Sequence, residues 1–189
     1  MARFPSPLAL VALTAIPSLT AGCASMLSIN AGPSLLATPR AHTMAAAEAH
    51  ASVAYGPNLG SNAGVLLGLE ANGRVTNDYG HGSLGFSLGV LGFSPSRFIA
   101  GARGFFVPLG VSSRDAAAWY ALGGGLELTA GISLDRPDND NWYVASTSRR
   151  RAITFTLRGE AEHRPSQGET DVWLSVLLGF AWAQITSGR

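Results

Sequence analysis

NAGVLLGLEANGRVT, residues 62–76, is the stretch of sequence that decides the fold. Its odd positions, from Ala63 to Val75, are apolar or glycine, whereas its even positions are small or polar except at Leu66. Alternation with a period of two is typical of a β-strand that has one apolar face. The run is longer than the about 5 or 6 residues of an ordinary soluble strand, and it reaches the roughly 9 to 11 residues that cross a bilayer on a tilt.

The same alternation recurs along the chain, and clusters of Pro, Gly, Asn, Asp and Ser separate the alternating runs. Together they predict eight strands over residues 26–37, 44–55, 62–75, 82–93, 98–107, 117–134, 142–162 and 171–185. One alternative stays open at residues 44–55, because an alanine-rich run also favours a helix. The predicted fold class is all-β, a single antiparallel up-and-down β-barrel of about eight strands, in one domain over residues 23–189.

Composition narrows the class of protein further. Charged residues make up 13% of the chain, against about 25% in a typical soluble domain. After Cys23 no stretch offers the roughly 18 continuous apolar residues of a transmembrane helix. The 13 basic residues are all arginine. Arg3 lies in the N-terminal segment described next, and the 12 arginines that follow it equal the acidic residues in number, also 12. A nucleic-acid-binding protein is usually clearly basic, so we expect no nucleic-acid partner.

The N-terminus carries an export pattern. Arg3 precedes the apolar run LALVALTAIPSL at residues 8–19, which has the length of a secretory core segment and is too short to span a bilayer as a helix. The small residues at 20–22 are followed by Cys23, and this arrangement resembles the lipobox of bacterial lipoproteins, whose cysteine thiol is diacylated. The resemblance implies a cleaved lipoprotein signal peptide over residues 1–22 and lipid attachment at Cys23. An ordinary signal peptide cut near Gly22 is the alternative, and both predict export.

Two kinds of barrel fit eight antiparallel strands. In a soluble, lipocalin-like barrel the apolar row would point inward and bind an apolar ligand, beneath Val65, Leu67 and Leu69. In an outer-membrane barrel the apolar row would face lipid and the polar row would line the lumen. The polar row favours the second arrangement, because it consists mainly of Gly, Ser, Thr and Ala with a few balanced charges. A narrow lumen holds small side chains and paired charges.

We predict that arginines and glutamates of this row pair across the lumen in one charge network: Glu70, Arg74, Arg103, Glu127, Arg158 and Glu160, with Glu162 in the same row. Aromatic residues also cluster near the predicted strand ends, as in the aromatic girdles of membrane barrels. They are Tyr55, Tyr79, Phe93, Phe98, Phe106, Trp119, Tyr120, Trp142, Tyr143 and Trp182.

Over residues 26–185 the pattern is similar to that of the small outer-membrane β-barrels, the group with eight-stranded OmpA-like and OmpX-like members. The resemblance implies an outer-membrane location, lipids of that membrane as partners, and a structural or surface-interaction role without catalysis. A protein partner in the envelope is not identified by the sequence. An eight-stranded lumen is too full for a general diffusion pore, and no cofactor motif is present, since LGGGLE at 122–127 lacks the pattern of a phosphate loop.

Three further segments contain residue types that are used in catalysis or in binding. His81 and Ser83 share one strand face and could form a base–nucleophile pair, as in lipid-modifying barrel enzymes, although a polar hairpin explains them more simply. Residues 135–141, DRPDNDN, concentrate oxygen ligands but lack the spacing of a calcium loop, so we predict a turn and no metal site. The basic run at 148–152, SRRRA, could contact lipid phosphates or form a solvated strand end.

Overall fold

The structure of the chain, a computed structural model, describes residues 23–37, 44–94, 96–114, 117–135 and 147–186. Within these residues the backbone forms eight strands: β1 (Cys23–Leu36), β2 (Met44–Pro57), β3 (Ala63–Val75), β4 (Tyr79–Phe93), β5 (Phe98–Arg114), β6 (Ala117–Ser133), β7 (Thr147–Arg164) and β8 (Glu169–Thr186). Each strand pairs antiparallel with the next, and β8 pairs with β1, which closes the barrel. The all-β, up-and-down class predicted from the sequence is confirmed.

The alternation in β3 shows which side of the wall meets the surroundings. Leu67 and Leu69 are 64% and 56% exposed on the outer wall, whereas Glu70 and Arg74 are 4% and 2% exposed inside. The apolar row therefore faces outward and the polar row faces the interior. The lipocalin-like alternative is wrong, because the row that would line an apolar cavity lies on the outside of the barrel.

The outer wall is apolar on most of its circumference. Large aliphatic and aromatic side chains on β3 to β8 are about half exposed or more: Leu67, Leu69, Leu84, Phe86, Leu88, Phe106, Leu126, Leu128, Ile153, Phe155, Leu174 and Leu178. A water-soluble monomer rarely exposes a continuous apolar patch beyond roughly 300–600 Å². This wall is therefore suited to an apolar surrounding. In the described residues there is no helix long and apolar enough to cross a membrane.

The strand predicted at residues 44–55 is confirmed. All of Met44–Pro57 is the strand β2, and the helical alternative is wrong because its backbone pairs with β1 on one side and β3 on the other. These ladders outweigh the helix preference of alanine. In addition, β5 continues to Arg114 instead of ending at residue 107, because a bulge between Val107 and Gly110 shifts the register and lets pairing with β6 resume.

The interior changes character along the barrel axis. The end that carries Cys23 and Thr186, here called the terminal end, is filled by an apolar cluster: Ala24, Met26, Ala54, Leu66, Leu91, Phe93, Ile99, Ala152, Ala181, Ala183 and Ile185. At the opposite end Tyr79 stacks on Trp173 with ring centroids 5.3 Å apart, beside Leu36 and Ala46. Two members of the predicted aromatic girdle, Tyr79 and Phe93, therefore point inward and not toward the outer wall.

Glycine permits close contact between β6 and β7. A Cβ atom added at Gly125 would lie 1.9 Å from the carbonyl oxygen of Gly159, which no side chain tolerates. The triple glycine at residues 123–125 therefore belongs to a crowded barrel wall, and it lies inside β6, where a phosphate-binding turn cannot form.

Candidate functional site in the barrel lumen

Ten ionisable side chains meet in the middle of the barrel, and together they are called the lumen network. They project from the inward rows of β2 to β7: Glu48, His50, Glu70, Arg74, His81, Arg103, Glu127, Arg158, Glu160 and Glu162. Strand side chains alternate between the two faces, so residues of one parity in each strand reach the same interior. None of the five carboxylate residues is more than 4% exposed.

Arg158 lies at the centre of the lumen network. Its Nη2 atom donates to Glu70 Oε1 at 2.7 Å, and its Nη1 atom donates to Glu127 Oε2 at 3.3 Å. Glu160 lies 3.4 Å from Nη2, and Glu48 lies 3.7 Å from Nε. A planar guanidinium presents donors in several directions, and so it can contact carboxylates from four strand positions at once.

Arg74 and Arg103 extend the network in different ways. Arg74 bonds Glu48 at 2.9 Å on the adjacent strand β2, and it reaches across the lumen to Glu160 at 2.5 Å. Arg103 contacts Glu127, its direct register partner on the neighbouring strand β6, at 2.5 Å. The structure thus brings together all six residues of the predicted charge network. The Arg103–Glu127 pair, however, is formed along the wall and not across the lumen.

Aromatic rings complete the surroundings of two arginines. The guanidinium carbon of Arg158 lies 3.6 Å from the ring centroid of Phe105, and that of Arg74 lies 4.8 Å from the ring centroid of Trp173. A ring face attracts a cation and excludes water from it. The two arginines are therefore held between carboxylates and aromatic faces, which fixes their side chains.

Sequence reasoning missed three members of the lumen network, namely Glu48, His50 and His81. Glu48 and His50 lie in the alanine-rich run of β2, where the even positions carry the only large polar side chains of residues 44–51. The signal in the sequence is that Glu48, His50 and Ser52 all occupy even positions of this strand and therefore share its polar face. The sequence around His81 gives no signal for a place in the network, because its neighbours in sequence are typical turn residues.

Each histidine of the lumen network lies between two carboxylates. His50 Nε2 is 3.7 Å from Glu70 Oε2, and its Nδ1 is 3.9 Å from Glu127 Oε2. His81 Nδ1 is 3.5 Å from Glu162 Oε2, and its Nε2 is 4.0 Å from Glu160 Oε1. The network contains five carboxylates and three guanidiniums, and the two imidazole rings lie among the carboxylates.

The neighbours of His81 differ from the suggested catalytic pair. His81 Nδ1 lies 3.0 Å from Ser112 Oγ, and the Ser112 hydroxyl also donates to Glu162. The hydroxyl of Tyr79 donates to the same carboxylate at 2.7 Å. Ser83 shares the inward face of β4 with His81 and is buried. These groups lie inside the barrel, where Tyr79 and Ser112 both bond Glu162, whereas Ser83 Oγ and His81 Nε2 are buried without a hydrogen-bond partner.

Cys23 and Asp135, two further candidates from the sequence, do not belong to the lumen network. Cys23 begins β1, and its Sγ atom accepts a hydrogen bond from Tyr55 at 2.7 Å. Asp135 pairs with Arg151, and the rest of the segment 135–141 lies outside the described residues, as does the predicted signal peptide. Among the described residues, no group of three or more His, Cys, Asp and Glu side chains is arranged to hold a metal ion.

Comparison with known proteins gives structural likeness only. No family model matches the chain, and no curated protein matches its sequence. The solved structure of Ail, the attachment invasion locus protein of Yersinia pestis, is similar with a TM-score of 0.51 and 12% identity, covering 87% of this chain and 99% of Ail. The translocator domain of the autotransporter NalP from Neisseria meningitidis aligns with a TM-score of 0.32 and 11% identity, covering 93% of this chain and 66% of that domain. The chain thus has the closed β-barrel fold that Ail also has.

Proposed function

We propose that the chain is a bacterial outer-membrane β-barrel protein with a structural or surface-interaction role and no catalytic activity, anchored by an acylated Cys23. One observation carries the proposal: the apolar rows of the strands cover the outside, while the charges are buried inside. Water-soluble proteins bury most of their apolar side chains and expose their charged ones. A bilayer is the surrounding in which an apolar outer wall is favourable and a closed barrel satisfies every backbone group.

The dimensions of the barrel support insertion. The described strands contain 13 to 18 residues, and about 9 to 11 residues of a tilted strand suffice to cross the hydrocarbon. Each strand therefore has residues left over at both ends for the headgroup regions. Tyr55, Phe98, Tyr120 and Trp182 lie near strand ends on the outer wall, where amphipathic rings favour the membrane interface.

The connections between strands favour the structural role over adhesion. At the end opposite the termini, successive strands are joined by two to seven residues, at 37–43, 76–78, 115–116 and 165–168. Outer-membrane barrels that bind external partners do so through loops, which are the variable and binding parts of a rigid scaffold. The longest connection, residues 134–146, lies at the terminal end. Short connections at this end suit a protein that acts through its barrel wall.

The side chains that fill the lumen support the proposal of a closed barrel without catalytic activity. The side chains of His81, Ser83 and Ser112 are buried inside the wall, so a lipid in the bilayer has no access to them. The apolar cluster at the terminal end and the lumen network together fill the interior along most of its length. An interior filled in this way supports a scaffold role and not a diffusion pore.

Insertion into the membrane is tested by substituting arginine, in separate variants, for two leucines of similar exposure. Leu126, 70% exposed, lies near the middle of β6, whereas Leu59, 64% exposed, lies in the turn between β2 and β3. In lipid vesicles we expect Leu126→Arg to lower the free energy of unfolding by about 2–4 kcal/mol, as arginine does at a bilayer midplane. The control, Leu59→Arg, is expected to change it little. If both variants match the parent protein, the wall does not face lipid and the proposal is wrong.

The lipid anchor has its own support and its own test. Cys23 occupies an odd position of β1, the parity of the outward-facing Ile29 and Leu35, although its own side chain is only 6% exposed and is bonded by the Tyr55 hydroxyl. Acyl chains on its sulfur would start at the wall and enter the bilayer beside Tyr55. We expect the parent protein to incorporate labelled palmitate and Cys23→Ser to incorporate none. A parent protein without label would instead favour the ordinary signal peptide.

A further inference from the structure

Two arginines lie on the outer wall where β7 approaches the terminal end. In the run at residues 149–151 the side chains alternate, so that Arg149 and Arg151 are exposed outside and Arg150 is buried within the barrel. Arg149 is the register partner of Gln184, and Arg151 is the register partner of Trp182. The guanidiniums therefore stand on the same outer surface as the indole ring.

The outer surface of β7 and β8 changes from apolar to cationic between one register pair and the next. The next register pair toward the middle of the barrel is Ile153 with Phe180, and Ile153 is 55% exposed. The rings of Phe180 and Trp182 meet edge to face with centroids 4.4 Å apart. An apolar belt followed by tryptophan and then arginine is the order expected from the hydrocarbon through the interface to the headgroups.

One carboxylate already binds one of these two arginines. Asp135 accepts from Arg151 Nη2 at 2.6 Å and from the Arg151 backbone nitrogen at 2.6 Å. In the part of the chain that the structure describes, Asp135 is the one carboxylate within ion-pair distance of the two arginines. Arg149 thus retains a positive charge on the outer wall beside a neutral glutamine. Among the described residues, two guanidiniums and one carboxylate leave this surface with a net positive charge.

We propose that Arg149 and Arg151, with Trp182, form a binding site for the headgroup of an anionic glycerophospholipid. Guanidinium binds phosphate oxygens through paired N–H donors, and the apolar belt below receives the acyl chains. The inference rests on the proposed membrane insertion and adds a preferred lipid and its position at the terminal end. Asp135 limits the affinity by holding Arg151.

The test uses the purified full chain, folded into vesicles of phosphatidylcholine that contain brominated lipids. Bromine quenches tryptophan fluorescence at short range, so the quenching by brominated phosphatidylglycerol relative to brominated phosphatidylcholine reports a lipid preference at the wall. We expect the parent protein to prefer phosphatidylglycerol. Arg149→Gln is expected to reduce the preference roughly fivefold, the effect of one arginine near an anionic surface. Arg149→Gln with Arg151→Gln is expected to abolish it.

Two variants separate this site from a general effect of charge. Arg150→Gln removes the same charge from the same strand but on the inner face, so the lipid preference is expected to remain. Asp135→Asn releases Arg151 and is expected to increase the preference, which loss of structure would not do. An excess of inorganic phosphate at matched ionic strength is expected to leave the preference unchanged, because the acyl chains hold the lipid at the site.

The outcomes separate the inference from the proposed function. If brominated phosphatidylcholine does not quench the parent protein at all, the chain is not inserted and the proposed function fails. If it quenches but phosphatidylglycerol has no advantage, or if Arg150→Gln lowers the preference as much as Arg149→Gln, the headgroup site alone is refuted. Displacement by inorganic phosphate would also overturn it, since the site would then recognise a free anion.

Discussion

Replacing Arg158 with methionine is expected to lower the free energy of unfolding by about 3–5 kcal/mol, the range for removing one partner of a buried ion pair. The guanidinium lies within 3.7 Å of four carboxylates, those of Glu48, Glu70, Glu127 and Glu160. Methionine keeps an unbranched apolar stem but is shorter and carries no charge, so these carboxylates would face one another without their central cation. The assay is urea unfolding in detergent micelles at neutral pH, followed by tryptophan fluorescence and by the mobility shift of the folded barrel in gels.

The matched control is Arg151→Met on the same strand. Arg151 pairs with Asp135 on the outer surface with 61% of its side chain exposed, and exposed pairs contribute little to stability. Arg158→Lys is a milder second variant, because a single ammonium cannot reach all four carboxylates. Adding Glu70→Gln to Arg158→Met is expected to recover part of the loss, as a double-mutant cycle measures. A loss from Arg158→Met no larger than that of the control would refute the central role of this arginine.

Two further predictions concern the wall and its rim. Gly125→Ala is expected to prevent or strongly slow folding, measured by the gel mobility shift, since its Cβ would lie 1.9 Å from the Gly159 oxygen, whereas Gly82→Ala has open space and is expected to fold normally. Hydrogen bonds from Arg151 hold the pKa of Asp135 below its usual range. Their small stabilising effect is therefore present above about pH 4 and is lost as the pH falls through the lowered pKa. A carboxyl NMR titration is expected to show that Arg151→Gln raises this pKa, and an unchanged midpoint would contradict the pairing.

The alternation of side chains in the sequence was sufficient to predict the strands and the barrel. Parity along a strand is a local property, because successive side chains point to opposite faces whatever the strand pairs with. The run at residues 62–76 therefore determined that Glu70 and Arg74 share a face opposite to Leu67. Small polar residues beside a few charges then indicated that this face is the interior.

The contacts inside the barrel were decided by the tertiary structure. Which arginine meets which glutamate depends on the stagger of all eight strands around the closed barrel, and no local pattern encodes that sum. Arg74 therefore bonds Glu160 of β7 across the lumen, although nothing in their spacing pairs them. The bulge in β5 also changes parity, so that Val107 and Ser112 both face inward. Local sequence sets the face of each side chain, and closure of the barrel sets its partner.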